Sequence, residues 1–142
     1  MFREILLPVD LADPEHQHAA IDKAVTLAKT FGARLHVLAV VPDFGMAMVA
    51  GFFPEDYEKQ ALAAADKQLH ELTRRQVPPE VEVQHIVGHG TIYREILHYA
   101  DSTGCDLIVM ASHRPHLQDY LLGPNAAKVV RHARQSVLVI RE

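Results

Sequence analysis

Apolar residues recur along this chain in two alternating rhythms. Ile5-Leu6-Leu7-Pro8-Val9 is a short, continuous apolar run ending in Asp10, the pattern of a strand buried on both faces. Asp13-Pro14 then reads as an N-cap followed by Pro at the first helical position. Ala20, Ala24, Leu27, Ala28 and Phe31 follow at helical spacing until Gly32 stops the helix. A second strand runs from Leu35 to Val41 and Pro42 closes it. The next apolar stretch, MAMVAGFF from Met46 to Phe53, fits neither rhythm. It reads as a patch packed over the sheet, with a partner surface or a ligand lid as the other reading.

From about Glu55 the helical period returns, with Leu62, Ala65, Leu69 and Leu72 on one stripe. Val81, Val83, His85 and Val87 alternate with Glu80, Glu82 and Gln84, which predicts a third strand with one face less deeply buried. Gly90-Thr91 opens a third helix carrying Ile92, Ile96, Leu97 and Ala100 inward and ending at Gly104. Asp106 to Met110 predicts a fourth strand, a helix begins near Gly123, and Ser136 to Ile140 predicts a fifth strand.

Strict alternation of strand and helix predicts a single α/β domain over residues 1–142, doubly wound, with a parallel sheet covered by helices on both faces. The expected strand order is 3-2-1-4-5. In that order the winding reverses between strands one and four, and ligands of such folds sit beyond the strand ends at that point. One lip begins with Asp10 and the other with Ala111. The second lip leads through Ser112, His113 and Arg114 to a helix whose first N–H groups and positive dipole end face the crevice.

That arrangement attracts phosphate. The dipole supplies only about 0.3–1 kcal/mol, whereas micromolar binding needs about 8 kcal/mol. Base, ribose and side-chain contacts must therefore provide most of the affinity. Arg114 offers a charge-assisted bond to phosphate, Ser112 and Asn125 offer neutral ones, and Asp10 suits ribose hydroxyls or an exocyclic amine. The plainer reading is that Gly123-Pro124 merely starts a helix and Asp10 merely stabilises a turn.

Composition narrows the classes. Nearly half of the 142 residues are hydrophobic, enough for a sizeable core, and the formal charge of -4 argues against nonspecific binding to nucleic acid or anionic membrane. No apolar stretch approaches the roughly 20 residues that span a bilayer. Cys105 is the only cysteine, so no intrachain disulfide forms, and the N-terminus lacks a signal-peptide pattern. The expected location is the cytoplasm.

Several motifs in order are similar to the universal stress protein family: ILLPVD, G-x-x-x-x-E-I-L from Gly90 to Leu97, DLIVMASHRP, LLGPNAAKVVRHA and SVLVIR. The likeness runs over essentially the whole chain, and ASHRP followed by LLGxNAAxVVRHA resembles the F and G type. The resemblance implies an ATP-binding, flavodoxin-like (Rossmann-like) fold that forms homodimers, here through the C-terminal strand, with ATP accompanied by Mg2+. It places Pro8, Val9 and Asp10 at first-strand contacts and Val40 beneath the adenine. Met110 then ends the fourth strand at the site, and Ala111 stands at the first glycine position of the loop that follows. His113 stands at a contact position, Arg114 and Gly123 stand at glycine positions of the phosphate loop, and Pro124, Asn125 and Ala126 follow. Three departures stand out. Arg114 adds a side chain where backbone meets phosphate, the Arg114–Gly123 interval is one residue short, and Pro124 lacks an N–H.

The remaining chemistry is sparse. Ten histidines include the close pairs His16/His18 and His113/His116, but zinc sites need three or four ligands, so surface histidines are the expected account. No G-x-S-x-G elbow or P-loop lysine motif is present, and no dedicated catalysis is expected beyond slow ATP hydrolysis or self-phosphorylation within the family. The expected function is an ATP-binding stress-response regulator; the rival is a dimeric interaction module without useful nucleotide affinity.

Overall fold

The chain is described by a computed structural model covering residues 1–42, 56–112 and 123–141. Five strands form one parallel sheet: β1 (Glu4–Val9), β2 (Arg34–Val41), β3 (Val83–His89), β4 (Leu107–Ser112) and β5 (Ser136–Arg141). Their order is β3-β2-β1-β4-β5, as the alternation predicts. The helices are α1 (His18–Phe31), α2 (Tyr57–Gln76), α3 (Ile92–Ser102) and α4 (Gly123–His132). Right-handed crossovers put α1 and α2 on one face, and α3 and α4, packed against each other, on the other.

The continuous apolar runs form the centre. Ile5, Leu6, Leu7, Leu35, Leu38, Ile108 and Met110 are fully buried, and Ile21, Leu69 and Ile96 cover them from the helices. The edge strands are only half covered. In β5 Ile140 alone is buried, and in β3 the deeply buried positions are Ile86 and Gly88. Gly88 is required by close approach, because a Cβ there would lie 3.1 Å from both Glu95 Oε1 and Tyr99 Cε2 of α3.

The boundaries differ from expectation in physically instructive ways. Asp13 does not cap the first helix. Its carboxylate instead accepts from His16 Nδ1 at 2.7 Å, and a 3-10 turn over Pro14–Gln17 precedes α1. Phe31 is not part of the buried stripe; it lies at the helix end in edge contact with Phe2, and Gly32 (φ +65°) ends the helix in the left-handed region. The third strand spans Val83–His89, later than the valine alternation suggests, because its ladder with β2 continues to Val41↔His89. The fourth strand extends two residues past Met110, since Ala111 and Ser112 pair with Ile140 and Arg141. The MAMVAGFF stretch lies outside the described residues.

Candidate nucleotide site at the switch point

The sheet opens where its winding reverses. The β1–β2 ladder continues through Val9↔Ala39, whereas the β1–β4 ladder pairs only Ile5↔Leu107 and Leu6↔Ile108. Pro8 lies just beyond that last pair and has no N–H to donate, so this central strand pairs at its end on the β2 side. A cavity of about 430 Å³ lies at the ends of β1 and β2. Pro8, Val9, Leu11 and Ala12 form one wall, Leu38 to Pro42 a second, and Gln68 of α2 with Ile92 of α3 the remainder.

Asp10 supplies the carboxylate of this otherwise apolar wall, and it is only 7% exposed. Its position is fixed from several sides. Its Oδ1 accepts the Ala12 N–H at 2.9 Å, its own N–H donates to Gln17 Oε1 at 2.8 Å, and Gln17 Nε2 donates to the Asp10 and Asp13 carbonyls. Gln17 is buried, so the loop after β1 is tied to the start of α1 by a side-chain amide whose donor and acceptor are both used. The turn-stabilising role and the wall position belong to the same carboxylate.

On the other side, the starts of α3 and α4 are joined. Thr91 offers no side-chain cap to α3; instead the Tyr93 N–H donates to Asn125 Oδ1 at 3.1 Å. The amide oxygen of Asn125 thus serves a helix N-terminus. Glu95 Oε1 accepts the His89 N–H at 3.0 Å and His89 Nδ1 meets Glu58 Oε1 at 3.2 Å, linking the end of β3 to α3 and α2.

Of the residues singled out from sequence, Pro8, Val9, Asp10 and Val40 come together on the cavity wall. Met110 and Ala111 are buried inside β4 and do not line that cavity among the described residues. Gly123 begins α4, where Pro124 is exposed, Asn125 half-buried and Ala126 buried. His113 and Arg114 lie outside the described residues. Gln17, Gln68, Leu38 and Ile92 were not anticipated. Gln17 had a signal: it stands three and seven residues before Ala20 and Ala24, a polar side chain on the buried stripe. Gln68 is exposed and borders the buried stripe of α2 formed by Ala65, Leu69 and Leu72.

The histidines are not all surface side chains. His36 is fully buried in β2, where its Nε2 meets Glu4 Oε1 at 2.9 Å while its Nδ1 has no hydrogen-bond partner among the described residues. His85 bonds Thr73 Oγ1 at 2.7 Å and stacks on His70 at 3.7 Å; burial, then the His70 charge, holds its pKa below the usual value. Burial pushes the Cys105 thiol up to about 11. Among the described residues no group of three or more His, Cys, Asp or Glu side chains is placed to hold a metal ion, and no helix is long and apolar enough to cross a membrane.

A profile of the Universal stress protein family matches residues 1–141. The chain belongs to the universal stress protein family. Universal stress protein G of Shigella flexneri is 29% identical over 143 residues, covering 99% of this chain and 100% of that protein. Universal stress protein A homolog 2 of Coxiella burnetii is 30% identical over 146 residues, covering 99% and 95%. Among solved structures, the hypothetical protein MJ0577 superposes with a TM-score of 0.78 at 24% identity, covering 100% of this chain and 97% of that one. Two further neighbours share the fold. A universal stress protein in complex with cAMP has a TM-score of 0.59 at 19% identity, covering 99% and 97%. The universal stress protein of Archaeoglobus fulgidus in complex with dAMP has a TM-score of 0.59 at 17% identity, covering 97% of each chain. This universal stress protein therefore has the single α/β domain and the 3-2-1-4-5 strand order that the resemblance implies.

Proposed function

We propose that this universal stress protein is a cytoplasmic, ATP-binding stress-response regulator that holds its nucleotide between the ends of β1 and β4. The supporting observation is the cavity of about 430 Å³ with apolar walls and a single buried carboxylate, Asp10. Its size falls in the range of about 300–1,000 Å³ usual for small-ligand sites. Val40 and Leu38 suit a base face, and burying roughly 150 Å² of it contributes about 4 kcal/mol. Asp10 accepts from ribose hydroxyls or the exocyclic amine. The phosphates run toward the start of α4, whose positive dipole end favours them, and the sequence carries Arg114 in the segment before that helix. Mg2+ accompanies the phosphates and neutralises part of their charge. The occurrence of cAMP and dAMP with structural neighbours supports an adenine ligand.

The reading is nucleotide binding rather than dedicated catalysis, because the sequence carries neither a G-x-S-x-G elbow nor a P-loop lysine motif. Occupancy would alter the surface a partner meets, and the protein acts as a homodimer joined through β5. A second reading, an interaction module without useful nucleotide affinity, is favoured by the Asn125 side chain, whose oxygen is engaged by the Tyr93 N–H. Calorimetric titration with Mg-ATP decides between them. Binding at micromolar to submillimolar concentration is expected, and Arg114→Ala should weaken ATP more than adenosine, by about 1.5–3 kcal/mol. Absence of both heat and thermal shift at millimolar ATP would leave the interaction module.

A further inference from the structure

The outer surface of α3 and α4 carries a patch that the nucleotide reading does not use. Tyr93 stands at its centre, partly exposed. Arg94 Nε donates to the Tyr93 hydroxyl at 3.2 Å, and the Arg94 guanidinium lies 5.8 Å from the ring centroid. Lys128 Nζ stands 4.8 Å from the same centroid, and the His132 ring lies 6.5 Å away. The Asn125 bond to the Tyr93 N–H fixes the two helices against each other at this point. Arg131 is exposed one turn beyond Lys128.

Among the described residues no carboxylate neutralises these cations. Residues 123–141 include Lys128, Arg131, Arg134 and Arg141 and no Asp or Glu, in a chain whose formal charge is -4. Arg94, Lys128 and Arg131 make no ion pair among the described residues, whereas Lys29 pairs with Glu80 and Arg34 with Glu82. The carboxylates of α3 are engaged elsewhere: Glu95 accepts the His89 N–H, and Asp101 accepts from Gln135 Nε2 at 2.8 Å. The ring holds the Arg94 and Lys128 side chains in place, which lowers the ordering entropy that binding would otherwise cost.

We infer that the Tyr93 face of α3 and α4 is a docking surface for an acidic peptide segment of a partner protein. Charge complementarity selects the occupant. The cations spread across a ring rather than converging on one point, which suits carboxylates spaced along a chain better than a single phosphate. A nucleic acid is disfavoured, because its affinity grows with the number of phosphates neutralised and a chain of net charge -4 offers few cations beyond this patch.

The test is fluorescence anisotropy with a labelled short poly-Glu peptide and the intact protein. Binding is expected at low salt and should weaken as salt rises. Arg94→Ala and Lys128→Ala should each weaken it by roughly fivefold, the upper end for exposed charge pairs. The double variant should weaken it further. Lys59→Ala with Lys67→Ala, on α2, should leave it unchanged. All these side chains are exposed, and circular dichroism checks each fold. Undiminished peptide binding in the Arg94/Lys128 double variant overturns the inference. So does an oligothymidylate that binds the same patch more tightly than the peptide, which would make nucleic acid the occupant.

Discussion

Gln17 shows how much of the site depends on one side chain outside the cavity. Its amide is buried and saturated by the Asp10 N–H, the Asp10 carbonyl and the Asp13 carbonyl. Gln17→Ala leaves buried backbone groups of Asp10 without partners, which should destabilise the protein by about 1–3 kcal/mol in urea unfolding. Gln17→Glu is the sharper variant, because a carboxylate still accepts the Asp10 N–H but cannot donate to the two carbonyls. A Glu variant as stable as the natural chain would show that the carbonyl bonds contribute nothing. At this scale the chain was only partly legible. Asp10 was readable because it ends an apolar run, whereas Gln17 is a polar side chain whose importance depends on which stripe of a helix faces inward. The buried pairing of His36 is not legible in the sequence, because nothing local marks Glu4, far from it in the chain, as its partner.

At the scale of elements, the α2–β3 contact carries a titratable device. His85 is wedged between Thr73, at 2.7 Å, and the His70 ring, with Asp66 one turn away on α2. Burial, then the His70 charge, lowers the His85 pKa from 6.5, while Asp66 pulls weakly the other way. As the pH falls through 6.5 the unfolded chain takes up this proton first, so the folded state loses stability down to the folded pKa and no further. Above 6.5 His85 is neutral in both states and contributes no slope. Urea unfolding as a function of pH should therefore show less acid loss in His85→Gln, which keeps an amide near Thr73. Equal slopes in the two proteins would assign the acid sensitivity elsewhere. Element boundaries were less legible than the elements themselves. Hydrophobic period locates β4, but only its ladder with β5 carries it on to Ser112; Asp13-Pro14 looked like a cap, but Asp13 found His16 closer than the helix amides.

The whole molecule was the most legible level, because alternating strand and helix with right-handed crossovers leaves few arrangements, and the observed order is among them. That order also places β5 at an edge, with β4 as its neighbour in the sheet. The strand presents Val137, Val139 and a 36% exposed Leu138, and among the described residues no strand pairs with its other side. Apolar edges of this kind invite pairing, and a two-fold partner strand running antiparallel would satisfy both the backbone and the side chains. That geometry supports the proposed homodimer. Two variants separate the contributions. Val139→Pro removes a backbone donor from the edge strand and should shift the protein toward monomer in analytical ultracentrifugation, with circular dichroism checking that the sheet survives. Leu138→Lys keeps every backbone group but sets like charges near one another across a two-fold axis, and it should weaken the dimer more at low salt than at high salt. A natural chain that sediments as a monomer at tens of micromolar would defeat the proposal. If both variants remain as dimeric as the natural chain, the two-fold lies on another surface.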